Sequence, residues 1–449
     1  MSDGLNSFLF STSEMSRVFS PQEQLRAMMR FEWALTCALE KQGLAQPGSG
    51  AILNTLFDAQ FIDIEALEKE ARQVGNISIP FVRQLTAAVR SRDERASRTI
   101  HLGATSQDLV DTALVLQMSD AVALLQAAMK SLDESLTSQV HTHRETVMTG
   151  RTWLQPGPPT TLGLKLAGTL AALRRSHDRI RSAARRALVL QFGGAVGTLA
   201  ALGDSGSAVS KDLARLLDLR EPELPWHTQR DNLVEMVQAL ALLTGSLAKF
   251  ARDIALLMQA EVGEASEETA KDRGGSSTMP HKQNPVACAA VLAVHAKLAG
   301  LVQTLLNAMP QEHERGLGSW QAEWDIVPDA FRLTAAGLQY SIEIANGLAV
   351  DSERMKANLD ALLGVTLSEA VSVALAPKVG RSAAHDILRD AVIRAKQERR
   401  HLSEILKQIT EVSAHLNDDE IDRLLSPRAY LGSTQRFIAR VLEERHGYD

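Results

Sequence analysis

Between two long apolar stretches the chain runs Gly274-Gly275-Ser276-Ser277-Thr278-Met279-Pro280-His281-Lys282-Gln283-Asn284-Pro285. Hydroxyls, an ammonium and two glycines in one polar run are the ingredients of a mobile loop that delivers a proton donor and a charge to a cleft. Asn284 reads as an N-cap and Pro285 as the first residue of a helix over Val286 to Met309, so the loop ends on a helix N-terminus. Backbone N–H groups and the helix dipole favour an anion there, Lys282 adds a full positive charge, and a bound carboxylate fits. A serine hydroxyl is a poor base unless such a field stabilises its alkoxide; beside Lys282, Ser276 is therefore a candidate general acid/base. The plain alternative is a solvated Ser/Gly linker ending in a capped helix, and spacing alone gives neither reading precedence.

The elements that must hold this loop are helical. Ala and Leu are abundant, aromatics are 4% of the 449 residues, and apolar positions recur every three or four residues, which points to an all-α chain with little strand. Gln22 to Gln42 places Leu25, Met28, Met29, Phe31, Leu35 and Leu39 on one face behind the cap pair Ser20-Pro21. Shorter helices are expected over Ile62 to Val74 and Ile79 to Ser91. Long patterns run from Thr105 to about Glu145, Thr160 to Leu190 and Gln229 to Glu264, and a fourth from Pro285 to near Pro310. Rods of this length need partners along them, as in a bundle whose ligand sites are built by facing helices or by the loops at their ends. After Asp351 the helical patterns shorten. The resulting division is 1–105, a central long-helix unit over 106–350 that contains the loop 274–285, and 351–449.

The net charge of −6 and pI near 6.1, with few aromatics, argue against a nucleic-acid partner. Cys37 and Cys288 are the only cysteines, too few for a disulfide framework and unpaired as zinc ligands, so a reducing cytosol is expected and no metal or cofactor is implied. The start has no basic n-region, and the charge-free run Ala187 to Gly203 contains glycines that mark a helix end and turn, so no membrane partner is expected.

Two more segments could carry chemistry. His101-Leu102-Gly103-Ala104-Thr105-Ser106-Gln107-Asp108 holds a Thr105/Asp108 pair with capping-box spacing, again presenting a helix N-terminus. Thr149-Gly150-Arg151-Thr152-Trp153-Leu154-Gln155-Pro156 supplies a guanidinium. Arg151 and Arg315 suit a carboxylate, which a guanidinium can grip bidentately, although surface salt bridging is the ordinary fate of such residues. His141 and His143, near the end of the first long pattern, read as imidazolium groups favouring a helix C-terminus. Glu312, Glu314, Glu323 and Asp325 cluster near Trp320 and Trp324, with His313 alone insufficient for a metal site.

The run from Gly275 to Pro285 resembles the signature loop of the fumarase/aspartase superfamily, and His101 to Asp108 resembles the adenylosuccinate lyase-like version of a second motif. The resemblance extends over most of the chain. It implies an all-α, fumarase/aspartase-like three-domain fold with a central bundle of long helices. It also implies a homotetramer whose active sites are each assembled from segments of three subunits. By the same resemblance Ser276 exchanges the proton at carbon and Lys282 acts with it. Lys282 and Asn284 hold a substrate carboxylate and its enediolate form, and Thr105 and Ser106 contact a carboxylate with His101 nearby. Further substrate contacts are expected at Arg151, Thr152, Gln155, Gln229, Ser277, Met279 and Arg315, with Trp153 and His281 lining the pocket.

One departure narrows the reaction. The superfamily's Gly-Arg-Thr-His-x-Gln motif carries a histidine that serves an amine or hydroxyl leaving group; here that slot holds Trp153, whose indole donates a hydrogen bond but has no useful pKa. A carboxylate, with pKa about 4, needs no such proton at neutral pH. The loss points to a carboxylate that leaves or, in reverse, adds across a double bond to close a lactone. Leu190 to Leu199, Pro225 to Asp231, Glu314-Arg315 and Trp320 to Trp324 resemble the lactonising branch of the superfamily, whose substrate is a small tricarboxylate. The competing readings are an adenylosuccinate-type elimination that releases fumarate, against which Trp153 weighs, and a non-catalytic scaffold of the same fold, against which Ser276, Lys282 and Asn284 weigh.

Overall fold

A computed structural model describes residues 5–57, 61–267, 274–275, 278–279 and 282–443. The elements used below are α1 (Pro21–Lys41), α2 (Ser106–Thr142), the hairpin strands β1 (Val147–Thr152) and β2 (Gln155–Thr161), α3 (Leu162–Ala187), α4 (Asp231–Leu257), β3 (Ala265–Glu267), α5 (Val286–Ala308), α6 (Ser319–Asn346) and β4 (Leu348–Val350). Shorter helices fill the stretches before α2 and after β4. The all-α expectation holds, with two small antiparallel sheets, β1-β2 and β3-β4, added to it.

The long helices begin and end close to where apolar periodicity placed them. Two features were not foreseen. The hairpin falls between two of the long patterns, in a stretch to which no element was assigned, where proline and glycine are dense from Gln155 to Pro159 and exclude a helix. α6 was missed altogether, since Pro328 in its interior reads as a breaker; it removes one backbone donor, and the helix continues through it. His143 also differs from expectation. It lies past the end of α2 with Nδ1 3.2 Å from Thr146 Oγ1, and burial pushes its pKa down, favouring the neutral ring over the imidazolium.

Contacts divide the chain into two compact units: 1–128, 176–245 and 293–339 form one, and 129–175, 246–292 and 340–449 the other. The dividing points fall inside α2, α3, α4, α5 and α6. In the first unit the core is built on α1. Ser20 caps it by accepting from the Glu23 N–H, and Pro21 opens it. Its face of Leu25, Met28, Met29, Phe31, Leu35 and Leu39 is buried against Phe81, Leu85, Val89, the start of α2 at Leu109 and Ala113, and Phe192. In the second unit the 367–425 helices bury their own cluster around Val371, Leu375, Leu388, Ile405 and Ile421.

Within the first unit one charged cluster is wholly internal. Arg230, at the head of α4, is 1% exposed and lies between Asp111 of α2 and Glu323 of α6. Its Nη1 and Nη2 donate to Asp111 at 2.7 and 3.1 Å, and Nε donates to both Glu323 oxygens at 3.0 Å. Trp320 Nε1 donates to Asp111 at 2.9 Å, Gln107 Nε2 to Asp111 at 3.1 Å and Gln311 Nε2 to Glu323 at 2.9 Å. One guanidinium faces two carboxylates, and burial pushes the Glu323 carboxyl above its ordinary range despite Arg230. Removing the cation would strand two buried acids. Arg230→Met should therefore cost about 3–5 kcal/mol of unfolding free energy in denaturant titrations at fixed protein concentration; a loss below about 1 kcal/mol would show that the carboxylates find water or protons instead.

Candidate active site

In the first unit the expected contact residues are gathered around the N-terminus of α2. The helix starts at Ser106, and Thr105 N–H donates to Asp108 Oδ2 at 2.9 Å, the Asp half of the expected box. Asp108 does more than cap. Fully buried, it also accepts from Gly193 N–H at 3.0 Å and Gly194 N–H at 2.9 Å, and its Oδ1 lies 2.7 Å from His227 Nε2. A single carboxylate thus ties the turn Leu190 to Leu199 and the loop Pro225 to Arg230 to the end of α2. Gln229 sits exposed on that loop. Arg315 completes the group: its Nη1 donates to Gln107 Oε1 and its Nη2 to the Ala195 carbonyl, both at 2.8 Å. Both acceptors are neutral, and among the described residues Arg315 has no ion-pair partner, so its charge is free to act on an anion.

His101 lies at the same place in an unusual state. Its φ is +60°, a left-handed conformation that a non-glycine residue adopts at some cost. Glu32 of α1, with a fully buried side chain, holds it twice: Oε2 accepts the His101 backbone N–H at 3.1 Å, and Oε1 lies 2.5 Å from ring Nδ1. Burial pushes the ring pKa down, but the charge and hydrogen bond of Glu32, with a further contribution from Asp108, outweigh it and the net displacement is upward.

In the second unit the Thr149 to Pro156 segment forms the hairpin. Thr152 pairs with Gln155 across a two-residue turn at Trp153 and Leu154. Both turn residues have positive φ, +53° and +61°, the backbone of a type I′ turn, where Asn and Gly are the usual occupants. Trp153 is 97% exposed at the tip. The expectation for Arg151 needs correcting. Its bidentate grip is taken by Glu264, whose side chain is fully buried: Nη1 donates to Oε2 at 2.9 Å and Nη2 to Oε1 at 2.6 Å, with Asn358 Nδ2 a third donor at 2.9 Å. Arg151 is thus paired with a carboxylate of its own chain.

The signature loop, also in the second unit, is closed at its base. Asn284 donates to the Gly274 carbonyl twice, from its backbone N–H at 2.9 Å and from its side-chain amide at 3.0 Å, and Gly275 bridges to Gln283. Lys282 is exposed and its N–H donates to the Met279 carbonyl at 3.0 Å; Met279 is 43% exposed. Ser276, Ser277 and His281 lie outside the described residues. A second correction falls here. The first N–H groups of α5, expected to receive a substrate carboxylate, donate instead to Glu267 of β3, Ala287 at 3.1 Å and Cys288 at 2.7 Å. Asn284 staples the loop, and Glu267 caps the helix. Burial and Glu267 together push the Cys288 thiol well up, which leaves it unreactive.

Sequence reasoning passed over three acids that organise these segments, Glu32, Glu264 and Glu267. Glu32 was detectable, because it falls on the buried stripe of α1, four residues after Met28 and three before Leu35. Glu264 and Glu267 belong to an acid-rich stretch that reads as solvated, and carry no periodic signal.

The long helices, the signature loop and the capped turn at Thr105 to Asp108 together define a helical lyase. A family model described as "Lyase" matches residues 59–300, and one described as "Adenylosuccinate lyase C-terminus" matches residues 364–441. The chain belongs to this lyase family, within the fumarase/aspartase superfamily. It is 47% identical over 437 residues to 3-carboxy-cis,cis-muconate cycloisomerase of Pseudomonas aeruginosa, covering 97% of this chain and 95% of that one. The crystal structure of the 3-carboxy-cis,cis-muconate lactonizing enzyme from Pseudomonas putida superimposes with a TM-score of 0.92 at 44% identity, covering 98% of each chain. A class II fumarase from Schistosoma mansoni shares the fold at 18% identity, with a TM-score of 0.77 over 94% of this chain and 96% of that one.

The closed loop base depends on Gly274, whose φ is +76° and where an added Cβ would lie 2.7 Å from the Asn284 carbonyl oxygen. An L-residue there costs about 1–2 kcal/mol from conformation alone. Gly274→Ala should open the base locally. Trypsin cleavage after Lys282 is expected to accelerate by about threefold or more while the global unfolding transition moves little; unchanged cleavage would show that the base does not rely on this glycine.

Proposed function

We propose that the chain interconverts 3-carboxy-cis,cis-muconate and its carboxymuconolactone, a step of protocatechuate degradation, as a cofactor-independent cycloisomerase. The observation that carries this reading is Trp153 at the tip of the β1-β2 hairpin, in the slot where the superfamily's leaving-group histidine stands. One carboxylate of the substrate adds its oxygen across a carbon–carbon double bond. The electron pair moves to the neighbouring carbon and spreads into the carboxylate there as an enediolate, which Lys282 and Asn284 hold. Ser276 then gives its proton to that carbon, and the Lys282 charge stabilises the serine oxygen left behind. The lactone oxygen is a carboxylate in the reverse direction and departs unprotonated, so no acid is required at Trp153.

Arg315, unpaired by any described carboxylate, is the guanidinium for a second carboxylate of the substrate, with Thr105, Ser106 and Gln229 beside it. Arg151 sets the outer end of the hairpin through Glu264, so that Thr152, Trp153 and Gln155 reach substrate from a fixed base. Such a reach fits a site completed by other subunits. The exposed tip of Trp153 and the poorly covered α5 support a homotetramer. α2, α4 and α5 are long and apolar enough to cross a membrane, yet 61% of the apolar window of α2 and of α4 is buried against the rest of the chain, whereas only 33% of that of α5 is. A second copy is the occupant we assign to the apolar face of α5, with the enzyme soluble and cytoplasmic.

Lactone formation from the purified tricarboxylate tests the reaction: absence of turnover by the wild-type protein would remove it, and fumarate release from adenylosuccinate would assign the elimination reading instead. Ser276→Ala should lower kcat by about a hundredfold or more while the tricarboxylate still binds; undiminished turnover would take Ser276 out of the proton transfer. Trp153→His should give no faster lactonisation. A clear gain there would overturn the leaving-group argument.

A further inference from the structure

Glu32 is a fully buried acid on the core face of α1, and both its oxygens are committed to one residue, His101. Gripping backbone N–H and ring together, it over-determines a residue whose left-handed backbone would otherwise be costly. The ring Nδ1 is directed at the carboxylate, so the tautomer is set and Nε2 is the ring's remaining donor. Four and five residues on in the chain stand Thr105 and Ser106, and Asp108 ties their turn to the loop that carries Gln229. A strained histidine held by a buried acid at the rim of an anion site is more than a packing solution.

We propose that Glu32 is a positioning residue that holds His101 as a charged donor, presenting its second ring nitrogen to a carboxylate of the substrate. The inference rests on the cycloisomerase reading and adds His101 to the cations available to a substrate with three carboxylates. The ionisable groups facing the ring are Glu32 from α1 and Asp108 from α2. The turn Leu190 to Leu199 has no ionisable side chain, and the Ala200–Ser205 turn, which packs on Gly103 through Leu202, carries only the exposed Asp204. Both facing groups are acids, so the ring keeps its proton above the pH at which free histidine loses it, about 6.5.

The sign follows. Substrate carboxylates stay ionised through this range, so KM should be low while His101 is charged and rise as pH passes the folded pKa of the ring. Glu32→Gln removes the negative charge but keeps a hydrogen-bonding side chain. It should move the rise in KM to lower pH by about one unit or more, with kcat changing by less than about threefold. A purely structural role would raise KM or lower stability equally at all pH. In His101→Gln the rise should vanish, leaving a KM that is high and flat. A rise at unaltered pH in Glu32→Gln, or one that persists in His101→Gln, overturns the proposal. Should Glu32→Gln fail to fold, His101→Gln decides alone. Wild-type turnover is measured first: its absence refutes the cycloisomerase reading and this inference with it, whereas turnover with an unmoved KM profile refutes the inference only.

Discussion

The interaction on which the first unit depends is the buried ion cluster of Arg230 with Asp111 and Glu323. Asp111 and Glu323 come from two different long helices and Arg230 from the residue that leads into a third, and each is held by a further donor or ring: Trp320 and Gln107 on Asp111, Gln311 on Glu323, and the Trp226 ring 4.6 Å from the guanidinium carbon. Ions brought out of water at a cost of several kcal/mol each are tolerated only where such geometry is complete. The cluster therefore sets the register of α2, α4 and α6. It lies one helical turn below Gln107 and Asp108, so the loops gathered at the start of α2 are mounted on a rigid base.

Above that base the chain uses buried acids in place of further packing. Asp108 collects three backbone N–H groups and a histidine, Glu32 holds His101, Glu264 holds Arg151, and Glu267 caps α5. Each acid accepts N–H groups that would otherwise be stranded, and each decides the electrostatic state of what it touches. Arg151 and the N-terminus of α5 are neutralised and become structural. Arg315, whose acceptors are carbonyls, and Lys282, on the closed loop, have no carboxylate partner among the described residues. A site for a polyanion needs this sorting, because a cation already paired with a buried carboxylate contributes little further attraction.

Much of the frame was legible. The face of α1 from Leu25 to Leu39, the starts of α2 and α5, and the turn after α3 follow from apolar periodicity and capping chemistry, which are local. α6 was not, because proline is read locally as a breaker while burial of Trp320, Val327, Phe331 and Leu338 on either side of Pro328 sustains the helix. The hairpin escaped for a related reason: its pairing, not its composition, makes Thr149 to Thr161 a sheet, and its turn puts two bulky residues where glycine would be expected.

Residue identity was enough to settle the kind of chemistry. The loop from Gly274 to Pro285 places the chain in its superfamily, and Trp153 weighs against a protonated leaving group, since an indole cannot supply the proton from that position. What identity could not convey was which charges remain available. Arg151 and Arg315 are the same side chain in similarly suggestive motifs, and only the long-range approach of Glu264 to one and of two carbonyls to the other makes them different. Neutralisation depends on distance in space between residues far apart in the chain, and that information is absent from spacing along it.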